Sequence, residues 1–501
     1  MTKTITKSRE RHHEITYQVF VQSFADSNGD GIGDISGLTA KLDYLVDLGI
    51  EAIWLMPVHK SPSYHKYDVV DYKSVHPDYG TLEDFQAFLQ KAHVLGIKVI
   101  IDFIINHTST QHPWFIESSK GTDNPYRNYY IWRKKSDIED EIYKKKISKD
   151  SDNLTQWHTS TGNDEMYYGF FWGGMPDLNH DNHKVFDEIV EIGRFWLENI
   201  GVDGFRLDAA KHIFGDGREK DNHKFWEKFR SVMQSIKPDV YIVGEVWDDV
   251  KAVVPYAKGI PSLFNFDLSV SIFDTLMKGD TLVDSKTSLF IKTLIANQSL
   301  FTKVNSTYVD AIFLSNHDQK RTASVLKNRK NKIKQAVIML FTLPGRPYIY
   351  YGEELGMLGD KPDEYIREPF SWGNDSKFQT SWMTPKYNKN AKRVSVENQL
   401  SNPYSILNFY KNLIKLRKQT PVLYFGDLKE VKSGNNSVLG YIRSWEGQSV
   451  LILHNVGNLT EEFSLTKPYA NYSRILFSFR SALDKTGYVT LSANGTILLM
   501  D

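Results

Sequence analysis

Three acidic residues stand where an apolar run gives way to polar ones, and each could make or break a bond to hydrogen or carbon. Asp208 closes the stretch Gly201-Val-Asp-Gly-Phe-Arg206-Leu-Asp208-Ala-Ala-Lys211-His212. There Phe205 and Leu207 alternate with Arg206 and Asp208, so guanidinium and carboxylate share one face at the C-terminal end of a short strand. Taken alone, the pair reads equally as an ion pair in a barrel wall, which perturbs a pKa without doing chemistry. Glu245 ends the apolar run that starts at Tyr241, and desolvation there would hold its proton to higher pH, as suits a general acid near neutrality. Asp318 follows Phe313-Leu-Ser-Asn316-His317 at a third such end. Like charges gathered at one mouth repel, so a fold carries that cost only with compensating cations or a use for the charge. Two carboxyls flanking a glycosidic bond, one nucleophile and one acid, are the machinery of glycoside hydrolysis.

The elements that must position these groups repeat one phrase: a helix-like segment, a glycine where a left-handed cap sits, then a β-rich run. It occurs at 38–49 followed by 50–57, at 82–96 followed by 97–107, and at 183–201 followed by 202–208. This is the grammar of a parallel sheet whose strands are buried on both faces. Thr81 with Asp84 three residues on predicts a capped helix start. Val185, Phe186, Ile189, Val190, Ile192, Phe195, Trp196 and Leu197 form a broad apolar stripe over 183–199. Further strands are expected at 15–24, 241–247, 263–268, 311–315 and 347–351. Eight in all predict an α/β fold of the (β/α)8 TIM-barrel type, with its active site at the C-terminal ends of the strands. An open doubly wound sheet is the structural alternative.

Two regions break the rhythm. Residues 108–172 are rich in Asn, Asp, Tyr and Lys and include the charged run 133–149; they are too long for a loop and predict a small inserted subdomain after the third strand. From about Val422 the pattern is strand, turn, strand (438–444, Glu446-Gly447, 449–454), which predicts a C-terminal all-β sandwich. The expected organisation is therefore barrel 1–107, insertion 108–172, barrel 173–421 and β domain 422–501.

Two loops carry further oxygen and nitrogen donors. Asp26-Ser-Asn28-Gly-Asp30-Gly-Ile32-Gly-Asp34 spaces oxygen side chains at alternate positions, like the first half of a calcium loop, although Gly37 stands where a terminal Glu belongs. A metal held by Asp26, Asn28, Asp30, Ile32 and Asp34 would brace the first strand-to-helix loop; a solvated Asx-turn loop is the alternative. In Asp102-Phe-Ile-Ile-Asn106-His107, alternation points Asp102 into the barrel below its mouth and leaves His107 on the rim. A lone histidine is more often structural than catalytic.

Lys+Arg and Asp+Glu both number 61, so no net field recruits nucleic acid or an anionic membrane. With no cysteine, disulfides and thiolate metal sites are excluded. Residues 1–14 are polar without an apolar leader core, and no run approaches a membrane span, so the expected address is cytoplasmic as the chain stands and extracellular if a leader was trimmed.

Together with Tyr64-His65-Lys66-Tyr67-Asp68 and Met175-Pro176-Asp177-Leu178-Asn179, these motifs closely resemble those of the α-amylase family of retaining glycoside hydrolases, in the same order and over essentially the whole chain. The resemblance implies that Asp208 is the nucleophile kept ionised by Arg206, Glu245 the acid and then the base, and Asp318 a ligand of sugar hydroxyls that favours an oxocarbenium-like transition state. His107 and His317 match hydroxyl ligands, Tyr67 a stacking platform, and Asp102 stands among the substrate-site residues. Lys211 and His212 match the lining of the leaving-group side. Asn106, Asp177 and the His212 carbonyl match ligands of a structural calcium between barrel and insertion. The Asp26 loop matches a second metal position, for calcium or magnesium. Lys66 replaces the usual glycine before the stacking tyrosine and is expected to add a cation beside the cleft. Asp-Ala-Ala-Lys-His after Leu207 resembles α-1,4-glucan endo-hydrolases, whereas Met-Pro-Asp-Leu-Asn lies between oligo-1,6-glucosidase and neopullulanase forms. The implied activity is endo-hydrolysis of α-1,4 bonds in starch and maltooligosaccharides, with transglycosylation as a side reaction, by a monomer. An α-glucosidase, oligo-1,6-glucosidase or sucrose- or trehalose-active isomerase is the alternative within the family; a catalytically silent glucan-binding protein is the alternative outside it.

Overall fold

In the computed structural model, residues 13–142, 155–160, 164–278, 286–373, 376–389 and 394–501 are described. Each of the eight expected strands is present: β1 (Thr16–Val19), β2 (Ala52–Leu55), β3 (Lys98–Phe103), β4 (Gly204–Leu207), β5 (Tyr241–Gly244), β6 (Ser262–Leu263), β7 (Ala311–Phe313) and β8 (Arg346–Tyr350). They hydrogen-bond in the order β7-β8-β1-β2-β3-β4-β5-β6, so consecutive strands are paired everywhere except between β6 and β7, and β8 pairs with β1. Just past β6, the Asn265 N–H donates to the Ala311 carbonyl of β7 (3.0 Å), which nearly closes the barrel. Two strands stop earlier than expected. After β1 the chain turns into the short helix Val21–Phe24, and after β6 the Asn265 side chain accepts from the Leu268 N–H (2.9 Å), capping the helix Phe266–Lys278.

The sequence signals act as local rules. Thr81 and Asp84 form the reciprocal capping box, with bonds of 3.1 and 2.8 Å. The helix His183–Arg194 widens into a last turn over Phe195–Ile200 and ends at Gly201, whose φ of +97° admits no Cβ without strain. Within the insertion, Trp132–Lys134, Trp157–Thr159 and Glu165–Tyr168 form a three-stranded antiparallel sheet around Ile138, Trp157 and Met166. The charged run from residue 143 to 149 lies outside the described residues. At the C-terminal end six antiparallel strands between Asp427 and Met500 form one sheet over a core that includes Leu451, Leu453, Val489 and Leu499. No helix of the described residues is long and apolar enough to cross a membrane.

The chain divides into two compact units, Val19–Leu42 with Ala52–Phe264, and Met1–Gln18 with Asp43–Glu51 and Asn265–Asp501. Within the second, the helix Ile406–Gln419 and the C-terminal sheet are both joined to the barrel helix Lys330–Thr342 by buried polar groups. Arg417 donates to the carbonyls of Phe341 (2.7 Å), Leu343 (3.1 Å) and Gly345 (2.6 Å), and Arg443 to those of Thr342 (2.6 Å) and Gly426 (2.7 Å). These guanidiniums satisfy the carbonyls that a helix C-terminus leaves without intrahelical partners. Thr342 Oγ1 and Tyr441 Oη lie 2.6 Å apart, and Gln335 donates to the Asn455 carbonyl (2.9 Å).

The same unit buries Glu354, whose carboxylate accepts from the hydroxyls of Tyr17 (2.7 Å) and Tyr44 (2.8 Å). Burial nevertheless pushes its pKa up to about 7, from an ordinary value of 4.5. A raised carboxyl favours the folded state while protonated, so this contribution is present at acidic pH and is lost as pH rises through about 7. Glu354→Gln should therefore gain on the wild type by roughly 2–3 kcal/mol between about pH 5 and pH 8. Paired thermal melts across that range check this; a pH-independent difference refutes it.

Candidate active site

In the unit holding β2 to β6, strand register sets the geometry. Asp102 pairs with Arg206 and Leu207 with Gly244, so Asp208 and Glu245 emerge one residue beyond neighbouring strand ends. The Glu245 N–H donates to the Leu207 carbonyl (3.0 Å), and the Ala210 N–H to the Glu245 carbonyl (3.1 Å). Arg206 is the hub. Its Nη1 donates to Asp102 Oδ1 (2.8 Å) and to Asp208 Oδ1, and its Nη2 to Glu245 Oε2. Asp102 is fully buried and also accepts from Trp54 Nε1 (3.1 Å) and the Tyr67 hydroxyl (3.2 Å). The guanidinium lies 5.1 Å from the centre of the Trp54 ring, within cation–π range.

One guanidinium cannot neutralise three carboxylates. Burial pushes Asp102 up to about 7, Arg206 pulls it down and Asp208 pushes it up again. Asp102 is therefore able to keep a proton near neutral pH.

The ring of His107 is buried, and burial holds its pKa below the usual imidazole range, so it is neutral. Its Nε2 has no hydrogen-bond partner among the described residues, as suits a ligand for a sugar hydroxyl. Tyr67 is half-buried, with its hydroxyl held on Asp102. Lys211 Nζ donates to the Trp247 carbonyl (3.0 Å), and the His212 ring stacks on Phe170 at 3.9 Å. A cavity of about 300 Å³ opens beside them, lined also by Phe214, Asp248 and Tyr256. The expectation for Lys66 is corrected. Its backbone takes the left-handed φ of +65°, which explains the family's glycine there, and its Nζ folds inward onto the Ser63 carbonyl (3.0 Å) and over the Tyr79 ring instead of facing the cleft.

In the unit holding β7 and β8, Asp318 pairs with Arg367 Nη2 (3.0 Å) and with His317 Nε2 (3.0 Å), while the Gln18 side chain meets His317 Nδ1 (2.8 Å). Glu353 accepts from both Ser315 (2.7 Å) and Thr322, at the two ends of the segment that carries His317 and Asp318.

The candidate metal ligands fall into two sets. Asp177 is fully buried, accepts from the Phe170 N–H (3.1 Å) and the Asn106 amide, and is pushed up to about 8 by burial. Asn106 Oδ1 is buried without a partner among the described residues. A buried carboxyl beside an orphaned amide oxygen fits a hard cation. In the Asp26 loop, Asp26 accepts the N–H groups of Asn28, Gly29 and Gly31, Asn28 and Asp30 accept those two residues on, and Asp34 caps the helix Ile35–Ala40 through the Gly37 N–H (2.7 Å). Its oxygens hold the turn by themselves, and their chemistry also suits calcium or magnesium. Among the described residues no three His, Asp or Glu side chains are arranged to hold a metal ion, so either site would draw on amide and carbonyl oxygens.

Alternation along β4 made Arg206 and Asp208 legible, but Trp54, Gln18, Glu353 and Arg367 were missed. A polar Gln18 in an apolar strand was the one signal available; the others reach the site through strand pairing and an irregular segment.

This barrel, with a carboxylate, arginine and carboxylate gathered at adjoining strand ends, is that of a glycoside hydrolase. The family model described as the alpha-amylase catalytic domain matches residues 18–426, and the chain belongs to the alpha-amylase family. Alpha-amylase 3 of Dictyoglomus thermophilum is 42% identical over 93% of this chain and 89% of its own. The crystal structure of the alpha-amylase from H. orenii superposes with a TM-score of 0.88 at 40% identity, covering 98% of this chain and 99% of the other. A 4-alpha-glucanotransferase of Thermotoga neapolitana is 37% identical over 85% of this chain and 91% of its own.

Proposed function

We propose that the chain is an α-amylase that cleaves internal α-1,4 bonds of starch and maltooligosaccharides with retention of configuration. The observation that carries this reading is the single Arg206 guanidinium gripping Asp208 and Glu245 with its two terminal nitrogens. Such a bridge favours the roughly 5–5.5 Å spacing of a retaining pair over the wider separation that leaves room for water in an inverting one. An Asp208 oxygen attacks the anomeric carbon while Glu245 gives its proton to the departing glycosidic oxygen. Water, deprotonated by Glu245, then attacks the same carbon and frees Asp208. Asp318, His317 and His107 hold hydroxyls of the reacting sugar, Tyr67 supports its face, and Lys211 and His212 border the leaving-group side. A sugar hydroxyl in place of water gives transglycosylation; the cavity beside Lys211 and the glucanotransferase relative favour this side reaction.

Maltoheptaose hydrolysis should release a spread of maltooligosaccharides whose new reducing ends are α-configured, with slower attack on pullulan and sucrose. Glucose released singly from the non-reducing end defeats the endo reading, and β-configured product defeats retention.

Asn106, Asp177 and the His212 carbonyl would hold calcium, and the Asp26 loop a second calcium or magnesium. Bound there, the ion supplies charge and a cross-link and takes no part in bond making. Metal at a hundredfold excess over its Kd adds about 2.7 kcal/mol to stability, so chelation should lower the Tm by about two to three degrees for each site, and Asp177→Asn should reduce that response. An unchanged Tm in strong chelator refutes a structural metal.

A further inference from the structure

We propose that Gln18 is a positioning residue whose side-chain amide holds His317 as a neutral ring protonated on Nε2, so that His317 offers a donor and no charge beside Asp318. The inference rests on the hydrolase reading for its catalytic consequence, but the state of the ring can be measured without it.

The geometry is a chain of contacts within one unit. Gln18 is the penultimate residue of β1, is 2% exposed, and pairs with Tyr350 of β8. Its Nε2 lies 2.8 Å from His317 Nδ1, and the ring is 1% exposed. On the far side, His317 Nε2 lies 3.0 Å from Asp318 Oδ2. Among the described residues Arg367 faces this pair, donating from Nε to the His317 carbonyl (3.0 Å) and from Nη2 to Asp318 Oδ1 (3.0 Å), and Asp363 shares that Nη2 (3.2 Å).

A neutral imidazole has one nitrogen that donates and one that accepts. The Asp318 carboxylate, paired with Arg367, can only accept, so the ring proton sits on Nε2. Nδ1 must then accept, and its partner must donate; an amide N–H does so. That N–H also opposes a second ring proton, because two donors would face each other across 2.8 Å. An amide, unlike a carboxylate, cannot take the proton away. In the proposed reaction positive charge develops on the sugar, and a neutral ring orients the Asp318 carboxylate without adding a second positive charge. A polar side chain that fixes the tautomer and orientation of a working histidine is a common device around metal-bound imidazoles; here it would serve a sugar ligand.

The test uses the full chain carrying ¹⁵N-histidine, with the His317 signals identified by their loss in His317→Asn. The wild type should show His317 neutral and protonated on Nε2 from about pH 6 to pH 8. In Gln18→Glu the new carboxylate should draw a proton onto Nδ1, giving an imidazolium over that range. The expected kcat on maltoheptaose then falls about tenfold or more while KM moves less than about threefold. Gln18→Met, of similar volume but with no donor, should leave the ring neutral and lower kcat about tenfold through lost orientation. A wild-type ring protonated on Nδ1, or kcat within about twofold of wild type in both variants, overturns the proposal. If Gln18→Glu does not fold, the wild-type spectrum and Gln18→Met decide it. An inactive wild type with the Nε2-protonated ring would sink the hydrolase reading and leave the ring assignment standing.

Discussion

Asp208→Asn should lower kcat on maltoheptaose by about 10³–10⁴-fold or more and abolish the covalent glycosyl-enzyme. The substitution is nearly isosteric and keeps an oxygen for Arg206, which also remains bound to Asp102 and Glu245, so the fold should survive. What is lost is the nucleophile. An amide oxygen attacks an anomeric carbon poorly, and no other carboxylate described in that unit shares the Arg206 hub except Asp102, buried beneath it, and Glu245, assigned to the leaving-group oxygen. The check is a fluorinated maltosyl fluoride that forms the intermediate faster than it is hydrolysed. Mass spectrometry should find the sugar on the peptide containing Asp208 in the wild type and no adduct in the variant. A label on another residue, or a kcat within about tenfold of wild type, removes the nucleophile assignment.

Glu245→Gln should cost about 10²–10⁴-fold on starch, but the loss should depend on the leaving group. Natural glucan departs as an alkoxide unless a proton reaches it, and glutamine has none to give. Fluoride needs far less help, so formation of the intermediate from maltosyl fluoride should be slowed much less. Its breakdown should remain slow, because deprotonating water also falls to Glu245, and the intermediate should accumulate. Equal losses on both substrates would mean that Glu245 positions and does not protonate. The contrast with Asp208→Asn, which fails on both, separates the two roles without any reference to binding.

How much of this was readable from residues alone follows from how local each signal is. Helix, glycine cap and strand recur within some 25 residues, so the barrel could be read, and alternation along β4 alone placed Arg206 beside Asp208. Glu245 and Asp318 could be placed at strand ends but not given their partners. Trp54 on Asp102, Gln18 on His317 and Arg367 on Asp318 join segments 48, 299 and 49 residues apart, and no periodicity reports such pairs. Lys66 misled for a different reason. Its charge is visible in sequence, whereas the left-handed backbone that turns it inward is not. Helices give way to strands after Phe425, past the boundary expected near 422, and the compact unit runs across both because Arg443, Tyr441 and Asn455 of the strands bond to the barrel helix Lys330–Thr342.

Arg443 bears on how the gene can be recombined. A chimaera spliced at 421/422 would inherit every proposed catalytic side chain, yet Arg443 and Tyr441 would come from one parent and the helix they grip from the other. Unless both parents present the same carbonyls and hydroxyl there, the graft leaves a guanidinium entombed without acceptors, at a cost of several kcal/mol. Viable exchanges should therefore carry the helix Lys330–Thr342 along with the sheet, which makes the heritable module longer than the domain that the strand pattern outlines.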